Sequence, residues 1–275
     1  MAYPTLLVHL ELGHWNNGLL QVACEMANES DAHVVGITGC QPFSMTLGEG
    51  YVYGDFFESG SVQLVAQEKE MEATFRQAFS SSVRSLEWRS TTQCVSIADY
   101  VAQAGCGADL IMTSGIPAES FDAQRHLNRG DLLMIAGRPL LVVPEKVSSP
   151  TVKNVMIAWK DTREARKAVL DALPLLKRAA FVTIVELTTE ARLAAARDQL
   201  GDIARWLERH DVNVEPNATV SYGDDARQLE VIAVEQGAEL TVAGAYGHSR
   251  LREWAFGGIT RDLLVPSSRC SFLSH

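Results

Sequence analysis

GAELTVAGA at residues 237–245 repeats the order of GADLIMTSG at 107–115: Gly-Ala-acid, an apolar run, then small residues. The copies start 130 residues apart, nearly half of the 275-residue chain. A helical pattern precedes each, SIADYVAQAGCGAD at 96–109 and DARQLEVIAVEQGAE at 225–239. In the second, Leu229, Ile232, Ala233 and Val234 supply an apolar face, Asp224 or Asp225 can cap the start, and Gly237 ends the helix. A helix that stops at glycine and turns into a short apolar strand is a helix-to-strand joint. Two such joints imply two α/β units.

Working outward from the joints, the rest of each half agrees. TLLVHLELGHWNNGLLQVACEMAN (5–28) and NVMIAWKDTREARKAVLDALPLLKR (154–178) each read as a strand, a polar turn and an amphipathic helix. Second strands follow in AHVVGITGC (32–40) and AAFVTIVEL (179–187). Both halves end alike, with Leu132-Leu133 beginning six residues before Arg138 and Leu263-Leu264 six before Arg269. Strands alternating with helices at these lengths predict a parallel sheet flanked by helices in each half, a tandem α/β chain of two doubly wound five-stranded units. The domains are expected at 1–147 and 151–275, with the linker where Ser148, Ser149 and Pro150 break the pattern. The last strands, 139–144 and 270–274, are the expected junction, because an unpaired sheet edge needs covering.

One stretch has no counterpart in the second half: QPFSMTLGEGYVYGDFFESGSV at 41–62, rich in glycine and aromatics. It follows the second strand, so as an insertion at about 42–62 it either covers a ligand crevice, which open α/β sheets place at the carboxyl ends of their strands, or is a packing lid. The matching place in the second half, ELTTEARLAAARDQL at 186–200, runs directly into helix.

Composition narrows the function classes. Apolar residues make up 47% of the chain and charged residues 21%, as in a globular domain. A formal net charge of −10 opposes non-specific binding to nucleic acid or to an anionic membrane. No run approaches the roughly 18 apolar residues of a membrane span, and no basic region precedes the first apolar stretch, so a cytoplasmic location is expected. The five cysteines, Cys24, Cys40, Cys94, Cys106 and Cys270, show no CxxC pair and read as free, buried thiols. His9, His14 and His33 read as structural, and Trp15, Trp88, Trp159 and Trp206 as packing residues. No G-x-S-x-G elbow, Walker motif or G-x-G-x-x-G follows a strand, so the residues name no catalytic constellation and no metal site.

The strand-helix order, with GAYGHSRLREWAFGGITRDLL (244–264), IAWKDTREARKAVLDALPLL (157–176) and GRPLLVVP (137–144), resembles the tandem universal stress proteins of the UspA type over essentially the whole length. That resemblance implies a stress-response binding or regulatory protein, not an enzyme. The two domains would form an internal pseudo-dimer, with further homodimerisation open, and a small-molecule ligand would be the partner. Nucleotide-binding members carry G-x2-G-x9-G-[ST], and Gly244, Gly247 and Gly257 fit that spacing, with Thr260 supplying a later hydroxyl. Glycines let backbone N–H groups approach phosphate oxygens, and a helix starting near Gly258 points its positive end at them.

The resemblance thus implies a site for ATP or another adenine nucleotide in the second domain. Its residues would be Ala158, Trp159, Lys160, Asp161, Val185, Gly244, Tyr246, Gly247, His248, Ser249, Arg250, Gly257, Gly258, Ile259 and Thr260. Two residues depart from the family pattern. Gly258 replaces the hydroxyl, and Lys160 stands where members usually have an acid, with Asp161 one position later. Lys160 either attracts an anion or pairs with Asp161 or Glu186. Another anionic or amphipathic ligand, a weak ATPase, and a structural role for the glycines therefore stay open. In the first half Pro117, His126 and Leu127 replace the loop glycines, while Glu11 keeps an acid, so no ordinary nucleotide site is expected there.

Overall fold

A computed structural model describes residues 3–41, 54–80, 85–92, 94, 96–115, 125–147, 152–245 and 269–275, with backbone alone at 54–62. The first half runs β1 (Thr5–His9), α1 (Asn17–Ser30), β2 (His33–Gly39), α2 (Gly54–Ala78), β3 (Ser85–Thr91), α3 (Ile97–Ala104), β4 (Leu110–Gly115), α4 (Arg129–Ile135) and β5 (Leu140–Pro144). The second runs β6 (Asn154–Trp159), α5 (Arg163–Leu176), β7 (Phe181–Thr188), α6 (Leu193–Glu208), β8 (Val214–Val220), α7 (Asp225–Glu235), β9 (Leu240–Gly244) and β10 (Cys270–Ser274).

The two joints that announce the repeat are built differently in detail. After α7, Gly237 takes φ +59°, its N–H donates to Val234 O and that of Ala238 to Ala233 O, at 3.0 and 2.9 Å. This double closure absorbs the helix's last carbonyls, and glycine adopts the left-handed turn without steric cost. After α3 the chain instead passes through a 3-10 turn at Gly105–Gly107. Ser96 caps α3 through Asp99 N–H at 3.2 Å, and Asp224 caps α7 through Arg227 N–H at 3.1 Å.

Each half forms a five-stranded parallel sheet, and the two join into one sheet of ten strands in the order β3-β2-β1-β4-β5-β10-β9-β6-β7-β8. The seam is the antiparallel pair β5 and β10, with Phe272 opposite Leu141 and Leu273 opposite Leu140. Paired in this way, both strands are wholly buried. The cores ignore the boundary between halves. On one face Leu6, Val8 and Leu141 pack in the same cluster as Phe272, Val155 and the inner sides of α5 and α6. On the other, Leu140 and Val142 share a cluster with Ala243 and Leu273.

Three expectations change. The stretch at 41–62 is helical from Gly54 onward. Leu64 and Phe75 are buried and Met71 half-buried, a 7-then-4 spacing that marks one helical stripe; residues 42–53 lie outside the described residues. Trp15 is 73% exposed in the turn after β1 rather than packed. Cys40, Cys94 and Cys270 are buried, but Cys24 is half-buried and Cys106, in the 3-10 turn, is exposed. Linker residues 148–151 also lie outside the described residues.

Candidate functional site

The hydrogen-bond register superposes the two halves strand by strand. Pro4 O accepts from His33 N–H and Lys153 O from Phe181 N–H, while Leu6 pairs with Leu110 as Val155 pairs with Leu240. His9 therefore corresponds to Ala158, Glu11 to Lys160, Thr113 to Ala243 and Ser114 to Gly244. All of them stand at the carboxyl ends of the central strands, where sheets of this type leave a crevice.

In the first half that crevice is filled by the chain itself. Glu11 is fully buried, and both its carboxylate oxygens accept from Leu127 N–H, at 3.3 and 3.2 Å. Arg129 Nη1 lies 4.0 Å from the same carboxylate and donates to Ser114 O at 3.2 Å. His9 Nδ1 is 3.3 Å from Thr113 Oγ1, and the His14 ring meets His126 edge-on at 4.8 Å. Asn16 locks the turn, accepting from Glu11 N–H and returning a bond to Glu11 O.

Burial dominates the electrostatics of this cluster. It pushes the Glu11 carboxyl up to about 8 against the pull of Arg129 and Leu127 N–H, because desolvation penalises the charged form. Burial, reinforced by Arg129 and His126, depresses His9 to about 3. His9 is therefore a neutral imidazole at pH 7, and its 4.0 Å approach to Glu11 is not an ion pair.

The second half places smaller groups at the same points. Ala158 is half-buried and sits between Val185 on β7 and Ala243 on β9. Gly244 ends β9, and a Cβ there would come within 2.3 Å of Ala165 N and 2.5 Å of Glu164 C. Its first role is thus to admit the start of α5, whose Ala165 N–H is capped by Thr162 Oγ1 at 3.2 Å. Lys160, exposed just beyond β6, pairs with neither of the acids weighed as its partners: Asp161 is engaged by Arg166, and Glu186 forms no ion pair with it.

Of the sequence-predicted site residues, the structure gathers Ala158, Lys160, Val185 and Gly244 at one rim of the sheet. It turns Trp159 to the opposite face, into the core shared with α5 and α6. Tyr246, Gly247, His248, Ser249, Arg250, Gly257, Gly258, Ile259 and Thr260 lie outside the described residues.

Two features escape the sequence patterns. Arg129, the first residue of α4, reaches back over the crevice; its only local signal is the preceding Asn128, whose side chain caps the helix through Gly130 and Asp131 N–H. Beside Lys160, Trp159 and Glu186 stand in register on β6 and β7, with Trp159 Nε1 and Glu186 Oε2 buried and unpartnered. Burial raises the Glu186 pKa. Such atoms typically cost about 1–3 kcal/mol each unless water or a ligand meets them.

Among the described residues there is no cluster of three or more metal-ligating side chains, and no helix is long and apolar enough to cross a membrane. No family model matches the sequence, and no curated protein matches it. Solved structures do resemble it along the whole chain. A universal stress protein from Archaeoglobus fulgidus aligns with a TM-score of 0.67 at 11% identity, over 99% of this chain and 96% of its own. A putative universal stress protein from Pseudomonas aeruginosa aligns with 0.61 at 16%, over 99% and 93%. A functionally unknown protein from the same species gives 0.60 at 15%, over 99% and 92%. From its first described strand to its last, the chain has the fold that these universal stress proteins share.

Proposed function

We propose that the chain is a cytoplasmic universal stress protein of two domains, 1–147 and 151–275, that acts by binding a small anionic ligand, foremost an adenine nucleotide, in its second half. The observation that carries this reading is the exchange of side chains between equivalent crevices. Where the first half spends the His9 and Thr113 side chains on filling its own site, the second has Ala158 and Ala243. Ala158 in place of His9 leaves room at a strand end, and Lys160 adds a positive charge there that forms no ion pair with Asp161 or Glu186. The following segment carries Gly247 and Gly257, whose backbone N–H groups suit phosphate oxygens.

The site is one of binding rather than chemistry. A ligand there acts by favouring one state of the protein over another, which a partner protein then reads, and this requires unequal affinity for the two states. Isothermal calorimetry and thermal shift with ATP and AMP test the reading. Binding is expected in the parent and lost in Gly247→Glu. It is also lost in Ala158→His, which copies His9 of the closed half. Absence of both heat and thermal shift at millimolar nucleotide would overturn the nucleotide assignment.

Lys160 favours a second reading, an anion other than a nucleotide, since it replaces the acid that the resemblance associates with the nucleoside. Native mass spectrometry of the protein as purified separates the two. A retained anionic molecule that Lys160→Asp releases supports the second, whereas stronger ATP binding by Lys160→Asp supports the first.

A further inference from the structure

The ten-stranded sheet has two outer strands, β3 and β8, and they are finished differently. On β8, Asn213 O accepts from Val182 N–H and Ser221 N–H donates to Thr188 O. Odd-numbered residues there turn their backbone groups towards β7, and even-numbered ones turn outward. Pro216 occupies an outward position, so the edge lacks a donor in its middle, a common protection against pairing.

β3 has no such device. Cys40 N–H donates to Thr91 O at 3.0 Å, so odd-numbered residues face β2, and Leu86, Trp88 and Ser90 direct N–H and C=O outward. Among the described residues no strand pairs with that side.

The segment SLEWRST at 85–91 is also matched to itself. Reversed about Trp88, it sets Leu86 opposite Ser90 and Glu87 opposite Arg89. In an antiparallel pair, residues with outward backbone groups form the hydrogen-bonded positions, so Trp88 meets its own copy at the centre and Leu86 and Ser90 bond on either side. Glu87 and Arg89 then fall at the closer, non-hydrogen-bonded positions, where opposite charges attract across strands. Both side chains are accessible, at 44% and 40% exposure, and already pair within the chain at 2.8 Å. His33 Nε2 stands 3.7 Å from Glu87 on the same face. On the other face Trp88, half-buried, leans on Phe75 with ring centroids 5.3 Å apart.

We infer that β3 is a docking edge for a second copy of this chain, joined antiparallel about Trp88 so that Glu87 of each copy meets Arg89 of the other. The sheet would then continue from one molecule into the next across a two-fold axis, an isologous contact that closes on itself. This contact is independent of the ligand site at the strand ends of the second half.

Sedimentation velocity of the full chain over a range of concentrations tests it. The parent is expected to associate reversibly to twice the 30.1 kDa of one chain. Glu87→Lys sets like charges opposite each other and is expected to remain at the mass of one chain. Glu87→Arg combined with Arg89→Glu restores the match and is expected to restore the dimer. Ser90→Pro removes an outward donor while sparing the bonds to β2, and is expected to sediment as a single chain, its melting curve reporting that it is folded. The inference is overturned if the parent stays single at the highest concentration, if dimer persists undiminished in Glu87→Lys or in folded Ser90→Pro, or if the charge swap fails to restore it.

Discussion

Glu11 and His9 concentrate the electrostatic cost of the closed crevice, and each ties stability to pH in its own direction. The Glu11 pKa is raised on folding, from the ordinary 4.5 to about 8, so within that window the folded chain holds more proton than the unfolded chain. Its contribution is fully present below 4.5 and is lost as pH rises to 8, with a limiting slope of about 1.4 kcal/mol per pH unit. Glu11→Gln keeps an acceptor for Leu127 N–H and removes the titration. Its melting temperature relative to the parent is therefore expected to be higher at pH 8 than at pH 5, and equal offsets at both would contradict the assignment. His9 runs the other way. Its folded value of about 3 lies below the ordinary 6.5, so stability is lost as pH falls from 6.5 towards 3, and denaturant midpoints of His9→Gln should show a shallower acid loss. The identity of Glu11 as an acid at a strand end was legible in the sequence; that Leu127 and Arg129 consume it was not, because contacts across more than a hundred residues leave no local pattern.

At the level of elements, the contact between β9 and α5 shows how a glycine can carry two readings. Spacing relative to Gly247 and Gly257 assigns Gly244 to a phosphate cradle, whereas packing assigns it to the close approach of Glu164 and Ala165. The second can be measured directly. Gly244→Ala forces the helix start away from the strand and is expected to destabilise by about 1–3 kcal/mol, seen as a lower urea midpoint with an unchanged slope. Thr162→Ala should cost about 1 kcal/mol by uncapping the same turn. The elements themselves were well marked, since Ser96, Asp224 and Gly237 sit where helices start or stop. The register of α2 was harder to read: the aromatic, glycine-containing stretch before Leu64 hides the helical stripe that Leu64, Met71 and Phe75 continue.

At the scale of the whole molecule, the seam makes the halves one cooperative body. Phe272 is fully buried, pairs across the seam with Leu141, and joins a core that includes strands of both halves. Phe272→Ala is expected to cost about 3–5 kcal/mol. A single calorimetric transition, with equal calorimetric and van't Hoff enthalpies, should persist in the parent; two separable transitions would show instead that the halves melt alone. The internal repeat made the topology and this seam readable from the sequence. It left unread the antiparallel sense in which β5 and β10 join the two units, since that depends on geometry rather than on any motif.

The antiparallel seam also sets a polarity. Strands of the first half run against those of the second, so the carboxyl ends that form the two crevices lie at opposite rims of the sheet. The filled crevice around Glu11 and the strand ends around Ala158 therefore face different directions in solution. The ligand proposed for the Ala158 rim would leave the Glu11 rim free for a partner to approach without collision, the two being linked through the sheet and the cores that span both halves.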